Sequence, residues 1–472
     1  MDYHSIQTCY GQFNHKLLGL TIDFYGKYSD NWRTFKKIYG TQKTDISKDF
    51  IHYLNSNEKD KAFQLLSVGT IIEHEIRHFH DFLLCPSWGH IIRLQTIAAF
   101  NGLQVILRIP EGTVPVPYPL WLSNKNNKTY KINEPFSQIS EDMNDIFEQT
   151  VKAYDNIANR LNWSINNTLH LHSLAEASAM TSQYQSVFQT FGQEHTEFYI
   201  NSVLNKNHDN YSLIYKMINS LYADKGQMVF SSIINAMVVW SLMGEYWLDK
   251  LNDHPVTRIV NLLTLIKQDD IDFTQYNTKD LFSFWSEKFK LPMIDVNIKK
   301  NIDANDRLLI NLHNAYNELP GEGDSGKELF KIVINNFTQY AEANKYMSNE
   351  FINNMEQYVH PDLYLENLER WVNPVMRVTF SNGGVQVNND SKKIFKKIIR
   401  TVTHEDQELI TEAILNYDIG KDMLNIETCE SAFIINNFTD LFFNQYIRRD
   451  TKDIEHARQF AKNMGWSPYE IF

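Results

Sequence analysis

Apolar residues recur at helical spacing through most of the chain, and the clearest run begins near Asn57. Leu65, Val68, Ile72, Ile76, Phe79 and Leu83 fall on one side of a helical wheel, with His74, His78 and Asp81 on the other. Asn57 is placed to cap this helix, Glu58 and Asp60 put acid in its first turn, and Cys85-Pro86-Ser87-Trp88-Gly89 ends it. One face should therefore be buried and the other offered. Further helices are expected over residues 137–162, 169–191, 195–204, 211–222, 228–251 and 256–267. Extended structure is expected in three places. Leu17 to Tyr25 reads as a short strand, and Leu103 to Ile109 with Val114 to Leu122, around Pro110-Glu111-Gly112, as a proline-edged pair beside a cleft. Pro374 to Val387 reads as a hairpin turning at Asn382-Gly383.

These patterns predict a mainly α protein with small β elements. The acidic run Gln268-Asp269-Asp270-Ile271-Asp272 is the expected boundary between a domain over 1–268 and a helical domain over 269–472 that carries the hairpin. A length of 472 residues agrees with more than one unit, at roughly 150 residues for each. The 29 Phe, 24 Tyr and 9 Trp argue for a chain folded nearly throughout.

Charge narrows the partners. A net charge of -12 argues against nucleic acid, which needs a concentrated basic surface. Lys392, Lys393, Lys396, Lys397 and Arg400 are spaced as the solvated face of a helix. Residues 226–244 carry no charged side chain, but Gln227, Ser231, Ser232, Asn235 and Ser241 interrupt them, so a buried helix is expected rather than a membrane span. Cys9, Cys85 and Cys429 form neither a disulfide framework nor a thiolate zinc cage, and Met1-Asp2-Tyr3-His4-Ser5 does not begin a signal peptide. A reducing compartment, the cytoplasm, is the expectation. Oligomeric state is not readable from the sequence.

The candidate chemistry lies in His74-Glu75-Ile76-Arg77-His78. On a helix His74 and His78 stand one turn apart and can share one metal ion. Glu75 lies about 60° round from His78, where it can take a proton from a metal-activated water without ligating. Zinc would polarise a carbonyl and lower the pKa of a water, which the carboxylate deprotonates for attack on the carbonyl carbon, so a peptide or protein substrate is expected. A third ligand is needed, and Glu176 in His172-Ser173-Leu174-Ala175-Glu176-Ala177-Ser178-Ala179 is the best candidate, because small neighbours allow close helix approach. His170 and His172 remain alternatives.

The motif, the distant Glu176 and then Asp253-His254-Pro255-Val256-Thr257-Arg258 together resemble gluzincin metallopeptidases. The likeness is local and greatest to the prenyl-protease and heat-shock membrane-protease branch, where a His-Pro element with a following Arg comes after the glutamate ligand. It implies a zincin-like domain, zinc on His74, His78 and Glu176, Glu75 as general base, and His254 and Arg258 as contacts to the oxyanion. Gluzincins often carry an Asp four residues after the ligand Glu to orient a zinc histidine; here that position is Met180, and Asp81 could substitute.

Other readings compete. His80-Asp81 suggests an HD-type metal-dependent phosphohydrolase, with His52 a loose fit for its earlier ligand. A non-catalytic helical interaction protein would pair Arg77 with Glu73 and Asp81 and merely pack its histidines. Glu75 and His78 supply only one of the two Glu-x-x-His pairs of a di-iron bundle. Gly321 to Lys327 approaches a P-loop, but Glu328 stands where Ser or Thr should bind magnesium and the preceding segment reads as helix.

Overall fold

A computed structural model describes residues 9–24, 33–35, 38, 44–108, 145–146, 149–154, 156–157, 164–165, 169–205, 209–226, 230–245, 251–269, 273–319, 324–380 and 420–447. These residues are mainly helical. The chain opens with β1 (Cys9–Asn14) and β2 (Gly19–Phe24), then α1 (Thr44–Asn55), α2 (Lys59–Gly69), α3 (Ile71–Leu84) and α4 (Pro86–Arg108). Short β3 (Ser164–Ile165) and β4 (Leu169–His170) lead into α5 (Leu171–Phe191), α6 (Gln193–Asn205), α7 (Asp209–Ala223), α8 (Ser231–Leu242) and α9 (Pro255–Gln268). After these come α10 (Thr278–Phe289), α11 (Ile294–Asn317), α12 (Asp324–Asn353), α13 (Met355–Val359), α14 (Pro361–Glu366), β5 (Val375–Phe380) and α15 (Ile426–Ile447).

The helix expected from Asn57 to Leu84 is two helices. Asn57 takes a left-handed φ of 58° ahead of the first of them. Thr70 leaves the helical region at φ -134°, and its hydroxyl donates back to Leu66 O at 2.8 Å, so the chain breaks between α2 and α3. Cys85 closes α3 in an extended conformation, and Pro86 opens α4, the first helical position being the one that tolerates proline. The segment Leu103 to Arg108, expected as strand, continues α4 instead. Its apolar residues belong to the stripe through Ala99, Phe100, Leu103 and Val105, all buried. Residues 109–144, with the proline-edged turn, lie outside the described residues.

Most other expected helices match, with α5, α6, α7 and α9 close to their expected limits. α8 ends at Leu242, short of residue 251, where Gly244 packs so tightly that a Cβ would stand 2.3 Å from Asp253 O. From Ile234 to Leu242 it is wholly buried, and among the described residues no helix is long and apolar enough to cross a membrane.

The largest sheet among the described residues has the order β1-β2-β5. β1 and β2 pair antiparallel from Cys9↔Phe24 to Asn14↔Gly19, while β2 and β5 pair parallel from Gly19↔Val375 to Phe24↔Phe380. Gly19 permits that last pairing to close: a Cβ there would lie 2.2 Å from Val375 O. β5 thus falls in the expected extended segment, but its described partner comes from the opposite end of the chain. The Asn382-Gly383 turn, Lys392 to Arg400 and residues 320–323 of the P-loop-like run lie outside the described residues. One hydrophobic core runs from Leu18 to Ile435 and crosses the 268/269 position.

At its centre is α3, every residue of which is buried. The expectation of an offered polar face fails because β1, α5 and α12 all pack against this helix. Its polar side is enclosed rather than solvated, and it meets polar groups there.

Candidate metal centre

α3 and α5 run antiparallel and are joined by buried polar contacts. Gln183 Nε2 donates to Thr70 Oγ1 at 3.1 Å, Ser186 Oγ to Glu73 Oε1 at 2.8 Å, and Arg77 Nε to Ser178 Oγ at 2.9 Å. Ser178 lies in the contact, and the small Ala175, Ala177 and Ala179 around it are buried as well. Next to the Arg77–Ser178 contact the helices bring His74, His78 and Glu176 together.

Three donor atoms form a near-equilateral triangle. His74 Nε2 lies 3.1 Å from His78 Nε2, and Glu176 Oε2 lies 3.3 Å from the former and 3.5 Å from the latter. Donors held about 2.0–2.1 Å from a tetrahedral zinc stand about 3.3–3.4 Å apart, so the triangle has the size of one face of a zinc tetrahedron. Glu176 Oε2 is buried with no hydrogen-bond partner although it faces both rings. Two imidazoles and a carboxylate in this arrangement could hold a divalent cation and leave a position open. His74 Nδ1 is buried and has no hydrogen-bond partner among the described residues, so the orienting acceptor common behind a metal histidine is not seen there.

The electrostatics follow from burial and charge. Burial alone would depress the His78 pKa, but the Glu176 and Glu75 carboxylates outweigh it and push it up to about 9. Glu176 moves the other way: burial would raise it, and the two imidazoles hold it far below the usual carboxylate range. Glu75 is raised by burial, which His74 and His78 oppose without cancelling.

Glu75 is close enough to His74, His78 and Glu176 for their charges to act on it, and it is clamped by β1. The Phe13 amide donates to its carboxylate, and a Cβ on Gly11 would stand 2.6 Å from Glu75 Oε1. Glu75 Oε2 is buried without a hydrogen-bond partner. This clamp is absent from the sequence reading, since nothing in Cys9 to Asn14 points to a helix sixty residues away; Gly11, whose missing side chain makes room, is the one retrospective hint.

Other candidates are placed elsewhere. Asp81, considered as a histidine-orienting group, instead faces Arg77 Nε at 3.3 Å and accepts from Tyr358 Oη at 2.7 Å. Arg77 is wholly buried, with its guanidinium 4.0 Å from the Tyr358 ring centre and 4.4 Å from that of Tyr364. Its pull on Asp81 explains why that carboxylate turns from the histidines. His80 is also committed: Nε2 donates to Val372 O at 2.8 Å, and Nδ1 lies 2.6 Å from the Tyr364 hydroxyl, which donates to it. Burial drives its pKa down to about 3. Among the described residues neither member of the His80-Asp81 pair belongs to a metal-sized cluster, so the geometry gives the HD reading no support.

His254 and Arg258 do not join the triangle. Pro255 opens α9 as expected, but His254 Nδ1 caps that helix by accepting from Val256 N at 3.1 Å. Arg258 donates from Nε to Asp253 Oδ1 at 2.7 Å and from Nη1 to Trp240 O at 3.0 Å, and lies 4.5 Å over the Trp240 ring. Arg258 thus fastens α9 to α8, while the bond of His254 to Val256 stays within α9. His170 is the N-cap of α5, its backbone amide donating to Ser173 Oγ at 3.4 Å. His172, its side chain 60% exposed, puts Nε2 3.0 Å from Glu176 Oε1, the oxygen turned away from the other histidines. Burial lowers its pKa despite the nearby Glu176.

Compared with protein-family models, curated proteins and solved structures, the chain finds no match in any of the three.

Proposed function

We propose that this chain is a zinc-dependent hydrolase, a metallopeptidase acting on a peptide or protein. The observation that carries the reading is the donor triangle of His74, His78 and Glu176, with edges of 3.1, 3.3 and 3.5 Å, beside a buried Glu75 that does not belong to it. A zinc ion held there would supply a Lewis acid and bring a water pKa near 7. His74 and His78 would hold the ion from one turn of α3, and Glu176 would hold it from α5. Glu75 takes the proton from the attacking water and passes it to the leaving amine. A carboxylate raised by burial is the better matched to that exchange. The clamp by Phe13 and Gly11 holds it on the reacting side.

The local resemblance to gluzincins favours the peptidase branch of hydrolases, and a helix-borne pair of histidines packed under β1 suits a zincin-like arrangement. Membership of the prenyl-protease branch gains no support, because His254 and Arg258 are held by other groups. Free, buried Cys85 and Cys429 suit a reducing compartment, the cytoplasm.

Elemental mass spectrometry of untagged protein tests the reading. One zinc per chain is expected in wild type, none in His74→Ala, and an unchanged zinc content with no hydrolysis of an unfolded protein substrate in Glu75→Gln. Protein that takes up no metal under zinc-replete conditions, or Glu75→Gln that turns over normally, would sink it.

A further inference from the structure

Glu176 has two oxygens with different surroundings, and the difference determines how many positions a metal would have left. Oε2 points at His74 Nε2 and His78 Nε2, at 3.3 and 3.5 Å. Oε1 points the other way and lies 3.0 Å from His172 Nε2. The two atoms stand at ion-pair distance, and since a carboxylate only accepts, any proton between them is the imidazole's. If both oxygens swung to the metal, the carboxylate would occupy the position that water, and later the substrate carbonyl, requires.

We propose that His172 is the positioning residue that keeps Glu176 a one-oxygen ligand, by holding Oε1 away from the metal. This inference rests on the proposed metal site. Helix geometry fixes the contact, since residues 172 and 176 are one turn apart on α5 and share a face. The His172 ring lies nearly parallel to that of His78, at 19° with centres 6.4 Å apart, so it stands on the same side of the site. Its 60% exposed side chain belongs to the rim of the site, not to the core. The position also answers a gap in the motif. Four residues after Glu176 stands Met180, buried and apolar, where an acid would orient a zinc histidine; four residues before it stands a donor that orients the carboxylate itself.

The test is cobalt(II) titration of full-length wild type, His172→Ala and His172→Gln, followed by competition with a chelator and by visible absorption. Glutamine carries an N–H close to where imidazole has Nε2, so it should keep the contact. Expected is one cobalt in each protein, a 10- to 100-fold weaker affinity in His172→Ala as for other groups that orient metal ligands, and near wild-type affinity in His172→Gln. The visible spectrum should change in His172→Ala, as a second carboxylate oxygen takes the place of the solvent donor, and return to that of wild type in His172→Gln. Thermal melts of the metal-free proteins should coincide, given the exposure of the side chain.

Wild type that binds one cobalt while His172→Ala binds it as tightly and with the same spectrum overturns the role of His172 and leaves the metal site standing. A weakened His172→Ala that His172→Gln fails to restore also overturns it, because the contact itself is then not what matters. Wild type that binds no cobalt or zinc overturns both this inference and the metallohydrolase reading.

Discussion

At the scale of residues, His74, Glu75, His78 and Glu176 share one enclosed space, and proton and metal compete for it. His78 is held up at about 9 mainly because Glu176 offsets its desolvation, so at neutral pH a metal must displace a proton from it. Apparent zinc affinity should therefore rise by about tenfold per pH unit through the neutral range and level off near pH 9. Chelator competition at a series of pH values measures this, and a flat profile would remove His78 from the ligand set. The metal-free protein should behave in the opposite sense. The folded pKa of His78 exceeds its ordinary 6.5, so its stabilising contribution is complete below that value and is lost as pH climbs toward 9. Glu176 lies below its ordinary 4.5, and its contribution is lost on acidification. Thermal melts without metal should accordingly peak between these limits, and zinc should extend the stable range upward.

At the scale of elements, legibility depended on whether a signal was local. Helix α5 could be read because its small residues, its apolar stripe and Glu176 all lie within a few turns. The break at Thr70 could not, because the apolar stripe passes from Leu65 and Val68 to Ile72 and Ile76 without losing phase; only the Thr70 dihedral and its bond to Leu66 O interrupt the ladder. Leu103 to Arg108 misled for the converse reason, its aliphatic cluster suiting a strand as well as the last turns of a long buried helix. Within the site, His74 and His78 followed from spacing alone, whereas the fates of Asp81 and His80 depended on Tyr358, Tyr364 and Val372, nearly three hundred residues away. The contact of β1 with α3 is equally non-local, and Gly11 carries it. Gly11→Ala would drive a methyl group to 2.6 Å from Glu75 Oε1 and 2.7 Å from Ile71 Cγ1. Overpacking of this kind costs about 1–3 kcal/mol. Calorimetry should show that loss, and hydrolysis should fall further than stability, because the strand that moves is the one that holds Glu75. Zinc content should stay at wild-type level, since neither histidine nor Glu176 touches β1 through this glycine.

At the scale of the whole molecule, the helix that carries the motif is enclosed by chain from beyond residue 268. Arg77, wholly buried, donates from Nη1 to Tyr358 O at 2.8 Å and lies against the rings of Tyr358 and Tyr364. His80 donates to Val372 O, Asn344 Nδ2 donates to Leu83 O, and β5 completes the sheet on β2. Were residues 269–472 removed, Arg77 and Asp81 would keep each other but lose the tyrosines that enclose them, and the apolar side of α3 would lose α12. Leaving this pair without its hydrogen bonds to Tyr358 costs about 1–3 kcal/mol for each group left unsatisfied, on top of the lost packing, against the roughly 5–15 kcal/mol that holds an ordinary domain together. A fragment ending at residue 268, the boundary the acidic run suggested, should therefore lack a cooperative melt and near-ultraviolet circular dichroism, bind a dye for exposed apolar surface, and hold zinc weakly. Adding residues 269–472 as a separate chain during expression should restore all of these, because the missing contacts are packing contacts rather than covalent ones. A fragment that melts cooperatively and binds one zinc unaided would instead show that the motif helix needs nothing from the C-terminal half, and that the enclosure by Tyr358, Tyr364 and α12 serves something other than folding.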